Sequence, residues 1–239
     1  MITVHSSRTI MFKELEKVMD FAQGEMDYSK ALETNVTGKR STSGIKKTAR
    51  YLRALYSFDP KDPHFIAFRY FWDRSAPSQR PLLAFLYAID RDQLLAESIH
   101  VVRETEPGSK VTVEALEENI EKYHPQKYSQ NTRRSMAQNL ASSWKQAGFI
   151  MGKVKNIRNQ PDIEPWVACF AFFLAFLSGK SGDYIWNTPV VRALCMSEQA
   201  LRQLAEECAR KDLIQYQYAG NVTVISFDNL RIKTGIDAI

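Results

Sequence analysis

The 239-residue sequence contains little cysteine, and the cysteine positions exclude two common kinds of small stabilised domain. The three cysteines, Cys169, Cys195 and Cys208, are odd in number and never closer than 13 residues. This spacing fits neither a disulfide framework nor a CxxC metal site. A chain of this length hides roughly 70% of its extended surface on folding, so its core needs neither disulfides nor metals. We therefore expect three reduced and buried thiols.

Long hydrophobic runs are also absent. The longest, Trp166–Leu177, has twelve residues. As a helix it would rise only about 18 Å, short of the roughly 20 residues that cross a bilayer core, so it predicts a buried core helix. The first residues, 1–23, mix polar and charged side chains without an apolar h-region, and no export signal is expected. These features favour a cytoplasmic protein without a membrane partner.

Motifs of catalysis and cofactor binding are missing too. The four histidines lie far apart, and none begins an HxH, HExxH or HxE pattern. The segment Gly179-Lys180-Ser181 is similar to the end of a phosphate-binding loop, but Leu174 stands where that loop needs its first glycine, and a helical pattern precedes it. GxSxG and GxGxxG do not occur. We therefore expect no enzyme activity, no metal and no cofactor.

The net charge is small, but its distribution along the chain is uneven. The 32 Lys and Arg residues exceed the 27 Asp and Glu residues by only five. Residues 34–58 contain six cations and no acid, and residues 127–160 contain seven cations and no acid. Since these thirteen cations exceed the net charge of +5, the rest of the chain carries −8. Such segregation is typical of proteins that bind a polyanion.

Apolar residues recur at helical spacing through most of the chain. Residues 1–78 are predicted to form a helix-turn-helix-like domain, with helices at about 9–23 and 27–34, a third from Ser41 or Ser43 to Ser57, and a short aromatic helix at 64–73. Residues 79–160 are predicted to form a central winged-helix-like domain. Its helices lie at 81–102, 112–123 and 129–147, and a small wing follows at 149–154.

Residues 161–239 are predicted to form a C-terminal winged-helix domain. A buried helix begins at Pro165, another begins near Ser197, and two strands at 213–218 and 222–227 are joined by a hairpin turn. The predicted fold is therefore mainly α, helical, with helix-turn-helix and winged-helix units and a small C-terminal β-hairpin wing.

The helix that ends near Ser57 combines an apolar stripe with a basic stripe. At about 100° per residue, Ile45, Ala49, Leu52 and Tyr56 share the core side. Long cations opposite them reach phosphates while polar side chains reach base edges, as in a recognition helix. The predicted DNA-binding residues of this region are Lys39, Arg40, Ser43, Lys46, Lys47, Arg50 and Arg53. The alternative is a solvated basic face.

The helix predicted at 129–147 has a similar division. Met136, Leu140, Trp144 and Ala147 form its buried side, and the opposite side has no carboxylate to repel phosphate. Arg, Gln and Asn suit guanine and adenine edges. The predicted DNA-binding residues here are Asn131, Arg133, Arg134, Gln138 and Lys145. The alternative is a polar outer helix of a scaffold.

The helix that begins near Ser197 carries mixed charge, which favours a structural or protein-contact role.

Three segments give the chain a family resemblance. The first runs from Asn35 through Lys39-Arg40-Ser41 to Lys46-Lys47-Thr48-Ala49; the second from Asn131-Thr132-Arg133-Arg134 to Ala147-Gly148; the third from Asp212-Leu213-Ile214 through Gly220-Asn221-Val222 to Ile225-Ser226-Phe227. On these the chain resembles the BrxA proteins of bacteriophage-exclusion (BREX) defence systems. The resemblance implies a small, mainly helical, non-enzymatic, cytoplasmic DNA-binding protein, working with larger methyltransferase, phosphatase-like and ATPase partners.

Together these observations predict a protein that binds double-stranded DNA, chiefly through its phosphates and with limited sequence preference, in phage defence. Other BREX proteins are the expected protein partners. Two alternatives stay open. One is a protein-interaction scaffold whose basic faces meet an acidic partner. The other is a transcriptional regulator, which predicts two half-sites and a dimer.

Overall fold

The structure is a computed structural model and describes residues 3–25, 27–152, 154–220 and 222–236. The fold is mainly helical, as predicted, with short antiparallel β-hairpins. The N-terminal region has a 3-10 turn and four helices: Val4–Ser6, then α1 (Phe12–Glu25), α2 (Tyr28–Glu33), α3 (Thr42–Tyr56) and α4 (Pro63–Asp73). The first helix begins three residues later than predicted, because Met11 has a positive φ of 55° that interrupts the helical geometry.

Ser41 is the residue that starts α3. Its side-chain oxygen accepts a hydrogen bond from the backbone N–H of Gly44 at 3.1 Å, which satisfies one of the free donors of the first turn. The helix ends at Ser57, where φ is 60°. Helix α3 therefore has the length that the apolar and basic stripes predict.

The long helix predicted at 81–102 is wrong: it is three short helices, α5 (Arg80–Arg91), α6 (Gln93–Glu97) and α7 (Ile99–Glu104). Asp92 separates the first two with extended backbone angles, φ −120° and ψ 108°. Its carboxylate accepts hydrogen bonds from the backbone N–H of Leu95 at 3.2 Å and of Val4 at 2.6 Å. At this break the Asp92 carboxylate thus caps the N-terminus of α6 and also binds the N-terminal 3-10 turn.

The middle of the chain forms α8 (Val113–Tyr123) and α9 (Gln130–Gln146), followed by β1 (Ile150–Met151) and β2 (Ile157–Arg158). Strand β1 lies within the segment 149–154 that was predicted to form a wing, but its partner β2 lies beyond it. On its other side, β2 pairs with the segment before α8: Lys110 bridges to Ile157, and the Val111 N–H donates to the Asn156 carbonyl at 2.9 Å. A small antiparallel sheet therefore closes the end of the α8–α9 pair.

The C-terminal region contains α10 (Pro165–Leu177), α11 (Pro189–Arg192), α12 (Glu198–Arg210) and α13 (Asp228–Thr234), with a 3-10 turn at Gly182–Asn187. Strands β3 (Gln215–Ala219) and β4 (Val222–Ser226) form the predicted hairpin, with Gln217 opposite Val224. Within the described residues no helix is both long and apolar enough to cross a membrane. The twelve-residue apolar run is a helix buried along almost all its length.

Buried residues of all three predicted domains form one hydrophobic core. Helix α10 packs against α4, α5 and α12, and aromatic rings make many of the contacts. The rings of Phe71 and Trp166 lie 4.4 Å apart, and those of Phe68 and Tyr87 lie 4.7 Å apart.

Of the three thiols, Cys169 and Cys208 are buried as expected, but Cys195 is only partly buried.

Candidate nucleic-acid interface

The outer face of α3 and the loop before it carry a cluster of exposed cations. Its members, here called the α3 basic face, are Arg40, Lys46, Lys47, Arg50 and Arg53, with exposed Ser43 beside them. The opposite side of α3 is fixed in the core: Leu52 and Tyr56 are fully buried, and the Tyr56 hydroxyl donates to the Ile10 carbonyl at 2.6 Å. Buried apolar residues on one side thus hold the cations toward solvent on the other.

Within the described part of the chain, none of the five cations of the α3 basic face forms an ion pair. Lys39, predicted as a sixth, is different: its Nζ lies 2.7 Å from Glu14 Oε1 of α1, and its side chain is partly buried. The carboxylate offsets its charge. Lys39 is therefore the member of the predicted first set that is least available to phosphate.

Arg8 extends the α3 basic face, although the sequence interpretation missed it. The guanidinium carbons of Arg8 and Arg50 lie 5.7 and 4.9 Å from the centre of the Tyr51 ring. A hydrogen bond from the Ser7 side chain and the nearby guanidinium groups lower the pKa of Tyr51 below its usual value. The first acid in the chain is Glu14, so a third, shorter acid-free stretch could have indicated Arg8.

The basic residues of α9 have different surroundings, because three glutamates of the neighbouring helix α8 lie beside them. Arg133 Nη1 lies 2.7 Å from Glu121 Oε2, and Arg134 lies 3.7 Å from Glu117 and 3.9 Å from Glu114. Carboxylates were expected to be absent from this face. They are absent from α9 itself, but α8 supplies them from outside the acid-free stretch.

Other members of the second stretch are also engaged. Lys145 is partly buried, and its Nζ donates to Asn156 Oδ1 at 3.0 Å. Arg158, counted among the seven cations, is only 3% exposed and lies against the Phe149 ring. Its guanidinium donates to the backbone carbonyls of Val102 and Asn159, and burial lowers its pKa. Lys153 lies outside the described residues.

Asn131, Arg134 and Gln138 are exposed on the outer side of α9. Arg133 is only partly exposed and also donates to the Tyr128 carbonyl at 2.7 Å. The α9 face thus offers side chains suited to base edges, but much less unpaired positive charge than the α3 basic face.

The N-terminal 3-10 turn joins the two helices, since it packs against both α3 and α9. Its His5 is fully buried: Nε2 lies 2.8 Å from the Ser143 hydroxyl of α9, and Nδ1 lies 3.0 Å from Asp92 Oδ2. The His5 carbonyl accepts from Asn139 Nδ2 at 3.2 Å. The buried network therefore joins the N-terminal turn, which packs against α3, to the buried side of α9.

Serine, histidine and aspartate in this order also occur in hydrolases, where the serine must be open to substrate. Here Ser143 has no exposed surface, and its hydroxyl already accepts from the Ile10 N–H and donates to the Asn139 carbonyl. Burial raises the pKa of Asp92, but the charge of His5 and the hydrogen bonds to the carboxylate outweigh burial and lower the pKa overall. The arrangement is structural.

The C-terminal hairpin engages the central cation of α12. Arg202 lies 2.6 Å from Glu198 and 2.8 Å from Asp183, and it donates to the Thr223 hydroxyl at 2.6 Å. Hydrogen bonds from Thr223 and Arg202 lower the pKa of Asp183. Arg202 thus fastens the hairpin to α12 rather than facing solvent as an unpaired charge.

Among the described residues, no group of three or more histidine, cysteine, aspartate or glutamate side chains is arranged to hold a metal ion. Comparisons of the chain with protein-family models, curated proteins and solved structures find no match in any of the three.

Proposed function

We propose that the protein binds double-stranded DNA, with the α3 basic face and Arg8 as the main contact to phosphates. The observation that carries this proposal is the cluster of five exposed cations on one helix and its leading loop, none of them in an ion pair within the described residues. An unpaired arginine or lysine releases counterions from DNA without first breaking a protein ion pair.

In this proposal the α9 face makes a second, more selective contact. Segment 108–111, α8, α9, β1 and β2 follow one another in the order of a winged helix, in which the second helix of the pair enters the major groove. Asn131 and Gln138 would then meet base edges, and Arg133, Arg134 and Lys145 would lie near the backbone. The α8 glutamates weaken phosphate contacts here, and because only two side chains of this face would read bases, we propose limited sequence preference.

A salt titration tests the phosphate contact. Six cations, the α3 basic face plus Arg8, would give a slope of log K against log salt of about −5. Reversing Lys46, Lys47 and Arg50 to glutamate should weaken binding and flatten the slope. A fluorescence anisotropy titration of the full chain with a labelled duplex at several salt concentrations measures both.

The matched control reverses three exposed cations elsewhere, Lys180, Arg210 and Lys211, and thus changes the net charge equally. If this control loses as much affinity as the α3 variant, binding follows overall charge and the assigned surface is wrong. If the unaltered protein forms no complex with duplex DNA at low salt, DNA binding is excluded and the scaffold alternative gains.

The family resemblance supports a further part of the proposal: a non-enzymatic, cytoplasmic component of BREX phage defence, acting beside other BREX proteins. A phage-plating assay tests it. Deleting the chain from a strain with a working defence system should restore phage growth, and the Lys46, Lys47 and Arg50 reversals should act like the deletion. Defence that is unchanged by the deletion would contradict this role.

A further inference from the structure

A groove runs along α3 between α2 and the α3 basic face, with a volume of about 480 Å³. Its floor is apolar, formed by Leu32 of α2 and by Ile45 and Ala49 of α3. Lys46, Arg50 and Arg53 line one side. The remaining lining residues are Glu33 and Thr42.

The groove has the dimensions of a helix-binding surface. Its α3 residues recur at spacings of three and four from Thr42 to Arg53, which makes a continuous stripe along the helix. Eleven residue steps at 1.5 Å each give a length of about 16 Å, or three helical turns. An amphipathic helix that binds a groove uses apolar residues over the same length.

The chemistry of the groove favours an acidic amphipathic segment over DNA alone. Duplex DNA can use the cations, but its phosphate backbone offers nothing apolar to cover Ile45. An acidic amphipathic helix satisfies both parts, with apolar side chains on the floor and carboxylates beside Lys46, Arg50 and Arg53. Ile45 is only partly buried, so its side chain is available for such a contact.

We propose that this groove binds an acidic amphipathic helix of a partner protein, and that the partner and DNA exclude each other because both use Lys46 and Arg50. The first part stands without the proposed DNA function, and only the exclusion depends on it. The partner would act as a regulator that releases the protein from DNA.

The probe is a fluorescein-labelled synthetic peptide of about 16 residues, with leucines on one helical face and glutamates elsewhere. Its control has the same composition, with leucines distributed around the helix. The full-length protein should bind the first peptide about tenfold or more tightly than the second, because only the first can cover the apolar floor. This comparison needs no altered protein, so it does not depend on a variant that folds.

Two variants locate the contact. Ile45→Gln should weaken peptide binding about tenfold while leaving DNA affinity within about twofold, since it changes the apolar floor but no charge. Lys47→Glu alters a cation of α3 outside the groove lining. It should weaken DNA binding more than peptide binding. Excess peptide should release a labelled duplex from the unaltered protein.

Several outcomes would overturn the inference: equal affinity for both peptides, no effect of Ile45→Gln on peptide binding, or no peptide binding at all. Self-association that Ile45→Gln abolishes, measured by sedimentation, would identify a second copy as the occupant and would also overturn it. Specific peptide binding without DNA binding would remove the proposed function but leave the groove inference intact.

Discussion

Helices α3 and α9 both carry several cations within stretches that contain no acid, yet their cations have opposite surroundings. Those of the α3 basic face are exposed and form no ion pairs in the described structure. Arg133 and Arg134 of α9 lie beside glutamates of α8. The difference comes from the neighbouring helix: α8 brings three glutamates close to the arginines of α9, whereas α2 brings Glu33 to the groove beside α3.

The comparison teaches that local charge along a chain is a poor measure of local charge on its surface. The pairing in α9 is nevertheless weak enough to change on binding, because exposed ion pairs contribute only about 0–1 kcal/mol. The Arg134 side chain is 55% exposed and its carboxylates lie 3.7 Å or farther, while the Arg133 side chain is 23% exposed and lies 2.7 Å from its partner. Of the two arginines, Arg134 can therefore exchange its carboxylate partners for a DNA phosphate at the smaller cost in free energy.

The largest expected effect separates the two helices directly. Each phosphate contact contributes about 0.9 to the salt slope, or roughly eightfold in affinity at about 0.1 M salt. The double variant Lys46→Ala, Lys47→Ala should therefore weaken duplex binding about 60-fold. Arg133→Ala, Arg134→Ala removes the same charge but should cost only about threefold, because these arginines already have carboxylate partners. Anisotropy titrations measure both, and equal losses would break the comparison.

A second prediction concerns the buried network that joins the two regions. Asp92→Asn removes the charge that holds His5 and three backbone N–H groups, and should lower the free energy of unfolding by about 2 kcal/mol. Because the pKa of Asp92 is lowered in the folded protein, its stabilising charge is present above the usual aspartate pKa of about 3.9 and is lost as the pH falls through the lowered value.

Urea unfolding at neutral pH and below pH 4 measures this effect, and the two proteins should become more alike in acid. Asp228→Asn is the control, since Asp228 is exposed. A difference between wild type and Asp92→Asn that is the same at both pH values would show that the Asp92 charge does not stabilise the fold.

Local signals in the sequence predict the helices well where capping and periodicity suffice. Ser41 and Ser129 cap α3 and α9, and the apolar stripes identify which sides are buried. The break at Asp92 was not predicted, because the groups that require it include Val4 and His5, nearly ninety residues away. Separation of this kind leaves no local pattern.

The same limit applies to the candidate site. The exposure of Lys46, Lys47, Arg50 and Arg53 follows from helical spacing within one segment. The burial of Arg158 and the pairing of Arg134 depend on segments that are distant in sequence, and only the assembled fold shows them.

A smaller effect tests whether the α3 basic face extends to the N-terminal turn. Arg8→Ala should weaken duplex binding about eightfold, since it removes one of the proposed phosphate contacts. Arg74→Ala is a matched control, because Arg74 is also exposed and also stacked on a tyrosine, 3.9 Å from the Tyr70 ring. If the two variants bind alike, Arg8 stabilises Tyr51 without touching DNA.

The smallest expected effect is a gain in DNA affinity when carboxylates of α8 are removed. Glu114→Gln, Glu117→Gln removes the carboxylates near Arg134 and should make α9 more like α3. Affinity for duplex DNA should rise about threefold, because Arg134 then meets phosphate without losing an ion pair. Glu206→Gln, Glu207→Gln on α12 changes the net charge equally and controls for overall repulsion. A rise no larger than that of the control would mean that α9 does not approach the phosphates, and α3 would then be the only one of the two helices in contact with DNA.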